Sequence, residues 1–159
     1  MADDAAATEA AQPAGQVGTW QDPYRAYNFK LDIGNGAEGH FTECSGLAVK
    51  VQTISYREGG LGQIVHKIPG PVEYADITLR YGLTNSPILW EWFLKTVQGR
   101  VERRNVSIAI LGDDGATPVM QWNLIQAWPS AWRGAPLDAL SREVAIESLT
   151  LTFESLERG

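Results

Sequence analysis

The residues with the most obvious chemical potential are three glycines. In "KLDIGNGAEG", Gly34, Gly36 and Gly39 satisfy G-x-G-x-x-G directly after an alternating apolar run. Glu58 follows at about the right distance for the acid that binds a ribose hydroxyl in dinucleotide sites. Such a site also needs a helix immediately after the glycines, with its N-terminus facing the pyrophosphate. Here the glycines lead into "HFTECSGLAVKVQTI", which holds Gly46 and several β-branched residues and lacks a 3.6-residue stripe. A glycine-rich hairpin loop fits better, since Gly and Asn reach positive φ at little cost. No cofactor is expected.

Other routes to catalysis are thin. Cys44 is the one cysteine, and with His40 or His66 it could make a thiol pair, but a small side chain in a β core is the simpler reading. One cysteine and two histidines are few for a metal centre, and none is expected. The serines lack a G-x-S-x-G context and no phosphate loop of the G-x-x-x-x-G-K type occurs. Asp113 and Asp114 fall in a turn signal. That leaves six tryptophans, Trp20, Trp90, Trp92, Trp122, Trp128 and Trp132. They suit a core or subunit interface, with a sugar-binding platform as the alternative.

The totals narrow the class. A chain of 159 residues, 44% hydrophobic, can bury one core. The net charge is −6, and Asp3, Asp4 and Glu9 place half of it in the first 19 residues. A body without a Lys/Arg excess argues against duplex DNA as a docking partner. The N-terminus has no apolar run of a secretory signal, and no stretch is long enough to span a bilayer. Residues 1–19, rich in Ala, Gly, Gln and Thr, read as a flexible N-terminal arm, and residues 20–159 as a single β domain.

The elements that would position these residues are mostly strands. "YNFKLDI" alternates Tyr27, Phe29, Leu31 and Ile33 against polar neighbours, and "HFTEC" reads as its returning strand. "LAVKVQTISYREGG" places Leu47, Val49 and Val51 on one face and Ile54 and Tyr56 on the other, a phase change that implies a kink or two used faces. Leu61 lies in the "GGLGQ" loop that follows. Ile77, Leu79 and Tyr81 form the next inward row. One helix is expected over about 86–98, capped by Asn85 or Ser86, with Pro87 in its first turn and Gly99 at its end. Its apolar stripe is Leu89, Trp92, Phe93 and Val97. "NVSIAIL", a "DDG" turn and "PVMQWNLIQAW" make a hairpin, "PSAWRGAPLDALS" a long excursion, and "EVAIESLTLTFESL" a last strand with a phase shift near Glu147 and Ser148. The fold class is mainly β: about eight strands in two packed antiparallel sheets, a barrel-like sandwich with one helix. Apolar residues on both faces of long strands imply that copies of the same chain cover what one copy leaves open.

Three blocks, in order, resemble the tail tube protein family of contractile phage tails and related contractile injection systems. They are "DPYRAYNFKLDIGNGAEGHFTECSGLAVKVQTISYREGG", "KIPGPVEYADITLRYGLTNSPILWEWF" and "WNLIQAWPSAWRGAPLDALSREVAIESLTLTFESLER". The resemblance spans about residues 22–158. It implies two orthogonally packed sheets with one helix, similar to secretion tube proteins. It also implies hexameric rings stacked into an inner tube, with one sheet of each subunit joining a barrel around the lumen. Implied partners are further copies of the chain, a sheath protein outside, baseplate or initiator and terminator proteins at the ends, and an effector cargo or DNA in the lumen. The protein would be made in the cytoplasm, assembled into a phage tail or tail-like particle, and have no enzymatic activity or membrane insertion. The candidate assembly residues are Trp20, Tyr24, Leu61, Trp128, Trp132 and Arg133. The alternatives are a tube-initiator or baseplate-proximal paralogue and a tryptophan-rich carbohydrate-binding sandwich.

Overall fold

Nine strands and one helix make up the computed structural model, which describes residues 29–34, 41–60, 62, 64–83 and 86–159. The strands are β1 (Phe29–Asp32), β2 (Phe41–Ser45), β3 (Val49–Tyr56), β4 (His66–Tyr74), β5 (Ile77–Gly82), β6 (Arg104–Leu111), β7 (Pro118–Arg133), β8 (Ile146–Thr152) and β9 (Ser155–Arg158). The helix α1 spans Ile88–Val97. Seven strands form one antiparallel sheet in the order β1-β6-β7-β8-β5-β2, with β9 added to β7, while β3 and β4 form a separate two-stranded sheet.

The seven-stranded sheet is folded on itself at β7. The first half of this long strand pairs with β6 and β9, the second half with β8. Between the halves sits Gln126 at φ +56, a conformation costly for a residue with a Cβ. Its N–H donates to Asn105 Oδ1 at 3.1 Å, which anchors the bend. The bend makes two leaves, β1-β6-β7-β9 and β7-β8-β5-β2, whose inward rows share one core. Leu31, Ile33, Val106, Ile108 and Leu124 come from the first leaf, and Ile77, Leu79, Leu149 and Leu151 from the second. The inward alternation of Leu31–Ile33 and of Ile77–Leu79–Tyr81 is as the sequence predicts. The leaves pack as a sandwich and do not close into a barrel.

Helix α1 packs on β7. Trp92 is 1% exposed, and its Nε1–H donates to the Glu102 carbonyl at 2.7 Å. The Arg104 guanidinium lies over its ring at 5.0 Å. Glu102 in turn accepts from Lys95 Nζ at 2.6 Å and from Arg104 Nη2 at 2.6 Å, joining the end of α1 to the start of β6. These two cations hold the Glu102 carboxyl below the usual range.

Several local expectations need correction. The "KLDI" and "HFTEC" strands are not hairpin partners: β1 pairs with β6 and β2 with β5, so they stand in different leaves. Gly34 at φ +74, its N–H accepted by Asp32 Oδ1, bends the chain at the end of β1, and Gly36 and Gly39 lie outside the described residues. The helix takes Pro87 as N-cap with no side-chain cap, so Ser86 does not cap it. Gly99 at φ +81 does end it. Val97, expected on the packed stripe, is 64% exposed. "PSAWR" belongs to β7, leaving an excursion of only 134–145. The β5–β8 register is regular through Glu147 and Ser148, and the last strand breaks instead between Thr152 and Ser155. There the chain turns onto the first leaf, which needs a break rather than a bulge.

Candidate assembly surfaces

The β3–β4 hairpin is where the sequence's phase change becomes structure. Val51 lies opposite Val72, and after a register shift between Val51 and Thr53, Ile54 lies opposite Ile68 and Tyr56 opposite His66. Directly opposed residues share a face, and Val51 and Ile54 are three apart, so the two apolar pairs point to opposite sides. Neither side is covered by the described residues. Val51, Ile54 and Val72 are 47%, 53% and 51% exposed. Gly70 makes the irregularity possible, since a Cβ there would press on the Gln52 carbonyl at 3.0 Å and on Ile54. Pro69 and Pro71 remove donors from β4. A two-stranded ribbon in water is marginal alone, and one with apolar residues on both faces needs a partner on each.

A second uncovered segment is the excursion 134–145. Asp138 Oδ1 accepts from the Leu140 N–H at 3.0 Å, and the Ser141 N–H reaches the Asp138 carbonyl, so "DALS" is a turn rather than a helix. This turn holds Leu137 and Leu140 out at 85% and 93% exposure. Neither leucine stands among the candidate residues of the sequence; their signal was an apolar pair in a loop that also holds Pro136.

The structure separates the tryptophans that flank the proline of "AWPSAW". Trp132 pairs with Leu149 on the inner face, its ring 4.8 Å from Trp90 of α1 at 66°. Trp128 pairs with Thr152, on the opposite face from the Pro129–Leu151 pair. They therefore do not form a flat stacking platform. Arg133 is exposed at the end of β7, and Trp20, Tyr24 and Leu61 lie outside the described residues. Beside Trp132, a cavity of about 310 Å³ is lined by Tyr81, Leu89, Trp90 and Glu147. Burial, then the Glu147 charge, pushes the Tyr81 hydroxyl up to about 12. Burial, then Glu43, pushes the Cys44 thiol to about 11, so Cys44 is a weak nucleophile at neutral pH. Among the described residues no group of three His, Cys, Asp or Glu could hold a metal, and no helix is long and apolar enough to cross a membrane.

Among the described residues, the bent sheet keeps open edges and the β3–β4 ribbon stays uncovered. Residues 25–157 match the T4-like virus tail tube protein gp19 family, and the chain belongs to that family. Similar solved structures come from contractile injection systems. A chain in the sheath-tube complex of the extracellular contractile injection system PVC, in its extended state, is 28% identical, with a TM-score of 0.78 over 86% of this chain and 91% of that one. A chain in the anti-feeding prophage tube-terminating cap is 27% identical, with a TM-score of 0.81 over 89% of this chain and 93% of that one. Hcp1 from Flavobacterium johnsoniae, 16% identical with a TM-score of 0.53 over 82% of this chain and 94% of that one, shares the fold. No curated protein matches.

Proposed function

We propose that this chain is a structural, non-catalytic subunit of the inner tube of a contractile injection system or phage tail, with copies forming hexameric rings that stack into a conduit. The β3–β4 hairpin carries the reading. Its Val51–Val72 and Ile54–Ile68 pairs face opposite ways and lack cover from the described residues, as expected of a ribbon inserted between neighbouring copies. Leu137 and Leu140 supply a further contact, and the candidate residues Trp20, Tyr24, Leu61, Trp128 and Arg133 supply others, whereas Trp132 packs within the subunit. The stacked rings would sit inside a sheath, between baseplate and terminator, with an effector or DNA in the bore; the sheath-tube and baseplate structures among the similar proteins support this setting.

The variant Val51→Glu with Ile54→Glu tests the reading. Each changed side chain is already half exposed, so the monomer should keep its circular dichroism spectrum and melting behaviour. Sedimentation should then find rings or tubes for the native chain and only monomer for the variant. Assembly unaffected by both charges would remove the hairpin from the interface.

A second reading has its own support, because similar structures include a tube-terminating cap and a sheath/tube terminator. A tube-end subunit would stop at one or a few rings, whereas a main tube subunit would extend to tubes of indefinite length.

A further inference from the structure

Glu147 breaks the pattern of its strand. It lies directly opposite Tyr81, and by alternation it shares the inward row of β8 with Leu149 and Leu151. Tyr81 is 6% exposed and both leucines are fully buried, so a carboxylate stands where the sandwich takes apolar side chains. Among the described residues Glu43, Glu102 and Glu154 have basic partners, and Glu147 has none. Tyr81, its hydroxyl pushed up to about 12, stays protonated at neutral pH and cannot offset that charge. A charge turned inward without a counter-ion is costly, and such breaks of pattern concentrate where a protein binds something.

The surroundings of Glu147 suit one kind of counter-ion. It lines the cavity of about 310 Å³, which is at the small end of the ligand-site range of about 300–1,000 Å³. Trp90 and Trp132 line the same cavity, their rings 4.8 Å apart at 66°, and so form a corner rather than a platform. Both indoles are held in place. Trp90 packs on Phe93 at 5.9 Å, and a Cβ at Gly134 would come within 2.9 Å of the Trp132 ring. Trp90 is still 44% exposed, which leaves the corner open to solvent. Indole faces attract organic cations through the ring quadrupole, and an adjacent carboxylate adds a full opposite charge. Ser86 closes the wall at the start of α1, where the positive helix end opposes a cation. That end carries about half a charge and is outweighed by Glu147 together with two indoles. Its uncapped N–H groups suit a hydroxyl borne by the ligand.

We propose that this cavity is a binding site for a small organic cation with an alkylammonium head, seated against Trp90 and Trp132 with Glu147 as its counter-charge. The site lies within one subunit, so it does not depend on the tube reading. A metal ion is a poor fit, since a single carboxylate supplies too few oxygen ligands. An alkylated head spreads its charge, sheds water easily and fills the apolar corner. The same ammonium chemistry can arrive free in solution or on a lysine side chain of another molecule.

Saturation-transfer NMR tests the site, because it reads the ligand and serves for monomer and assembly alike. Choline is titrated into the native chain beside 3,3-dimethylbutan-1-ol, which has the same shape and no charge, at constant ionic strength. Choline should saturate, and the neutral analogue should bind at least about tenfold more weakly. Glu147→Gln keeps the shape and removes the charge. It and Trp90→Ala should each weaken choline binding about tenfold, with the circular dichroism spectrum unchanged. N-acetyl-lysinamide is titrated in parallel. Tighter choline binding marks a free cation as the ligand, and tighter lysinamide binding marks a side chain of another molecule; either supports the site. Equal affinity for choline and its neutral analogue would overturn the proposal. So would unaltered choline affinity in folded Glu147→Gln, or a saturable signal from neither cation. If Glu147→Gln fails to fold, the comparison of choline with its neutral analogue on the native chain decides alone.

Discussion

Trp92 ties the helix to the sandwich through three kinds of contact: apolar burial, an indole hydrogen bond to the Glu102 carbonyl, and the Arg104 guanidinium over its ring. Trp92→Ala should cost about 3–5 kcal/mol in chemical denaturation, the range for emptying a large aromatic site. Trp92→Phe keeps much of the packing but strands the carbonyl, and should cost less, about 1–3 kcal/mol. Glu102 adds a pH signature. Lys95 and Arg104 depress its carboxyl in the fold, so its contribution is complete above the unfolded value and is lost as pH falls through the folded one. Glu102→Gln should therefore melt lower than the native chain at pH 7, and the gap should close below about pH 4. An undiminished gap in acid would exclude the Glu102 carboxylate as its cause. Gly46, at φ +92, leaves no room for a Cβ against the Asp76 carbonyl, so Gly46→Ala should cost about 1–3 kcal/mol by the same denaturation measurement.

Strands and helix were legible where period and burial agree. The rows Leu31–Ile33, Ile77–Leu79–Tyr81 and Val106–Ile108 alternate because one face meets the core, and the "DDG" turn forms because Asp114 accepts from the Ala116 and Thr117 N–H groups. Pairing was less legible. Alternation reports that "KLDI" and "HFTEC" are strands, but not that each finds its partner far along the chain, in β6 and β5. The bend at Gln126 carries no glycine or proline to announce it, so the continuity of β7 into "PSAWR" stayed hidden. Of the assembly surfaces, the phase change at Val51 and Ile54 was readable, whereas Leu137 and Leu140 look like any loop leucines until the turn that exposes them is seen. Their burden falls on assembly rather than folding. Leu137→Asp with Leu140→Asp should shift monomer stability by no more than about 0.5 kcal/mol per site, while light scattering should find ring formation weakened or lost.

At the scale of the whole molecule, the sandwich core satisfies the two leaves, and what remains unsatisfied lies outside it: a ribbon apolar on both sides, a leucine-bearing loop and two open edges per leaf. The described residues close a core and leave apolar surface uncovered, which suits the repeating subunit proposed for this member of the tail tube family. Gly34, the one described glycine of the stretch that first resembled a cofactor loop, turns the chain at the end of β1. Electron microscopy of the purified native chain, concentrated without partners, tests this most directly. Rings of repeated copies, stacking into tubes around a central bore, are expected. A population that stays monomeric at every concentration would contradict it.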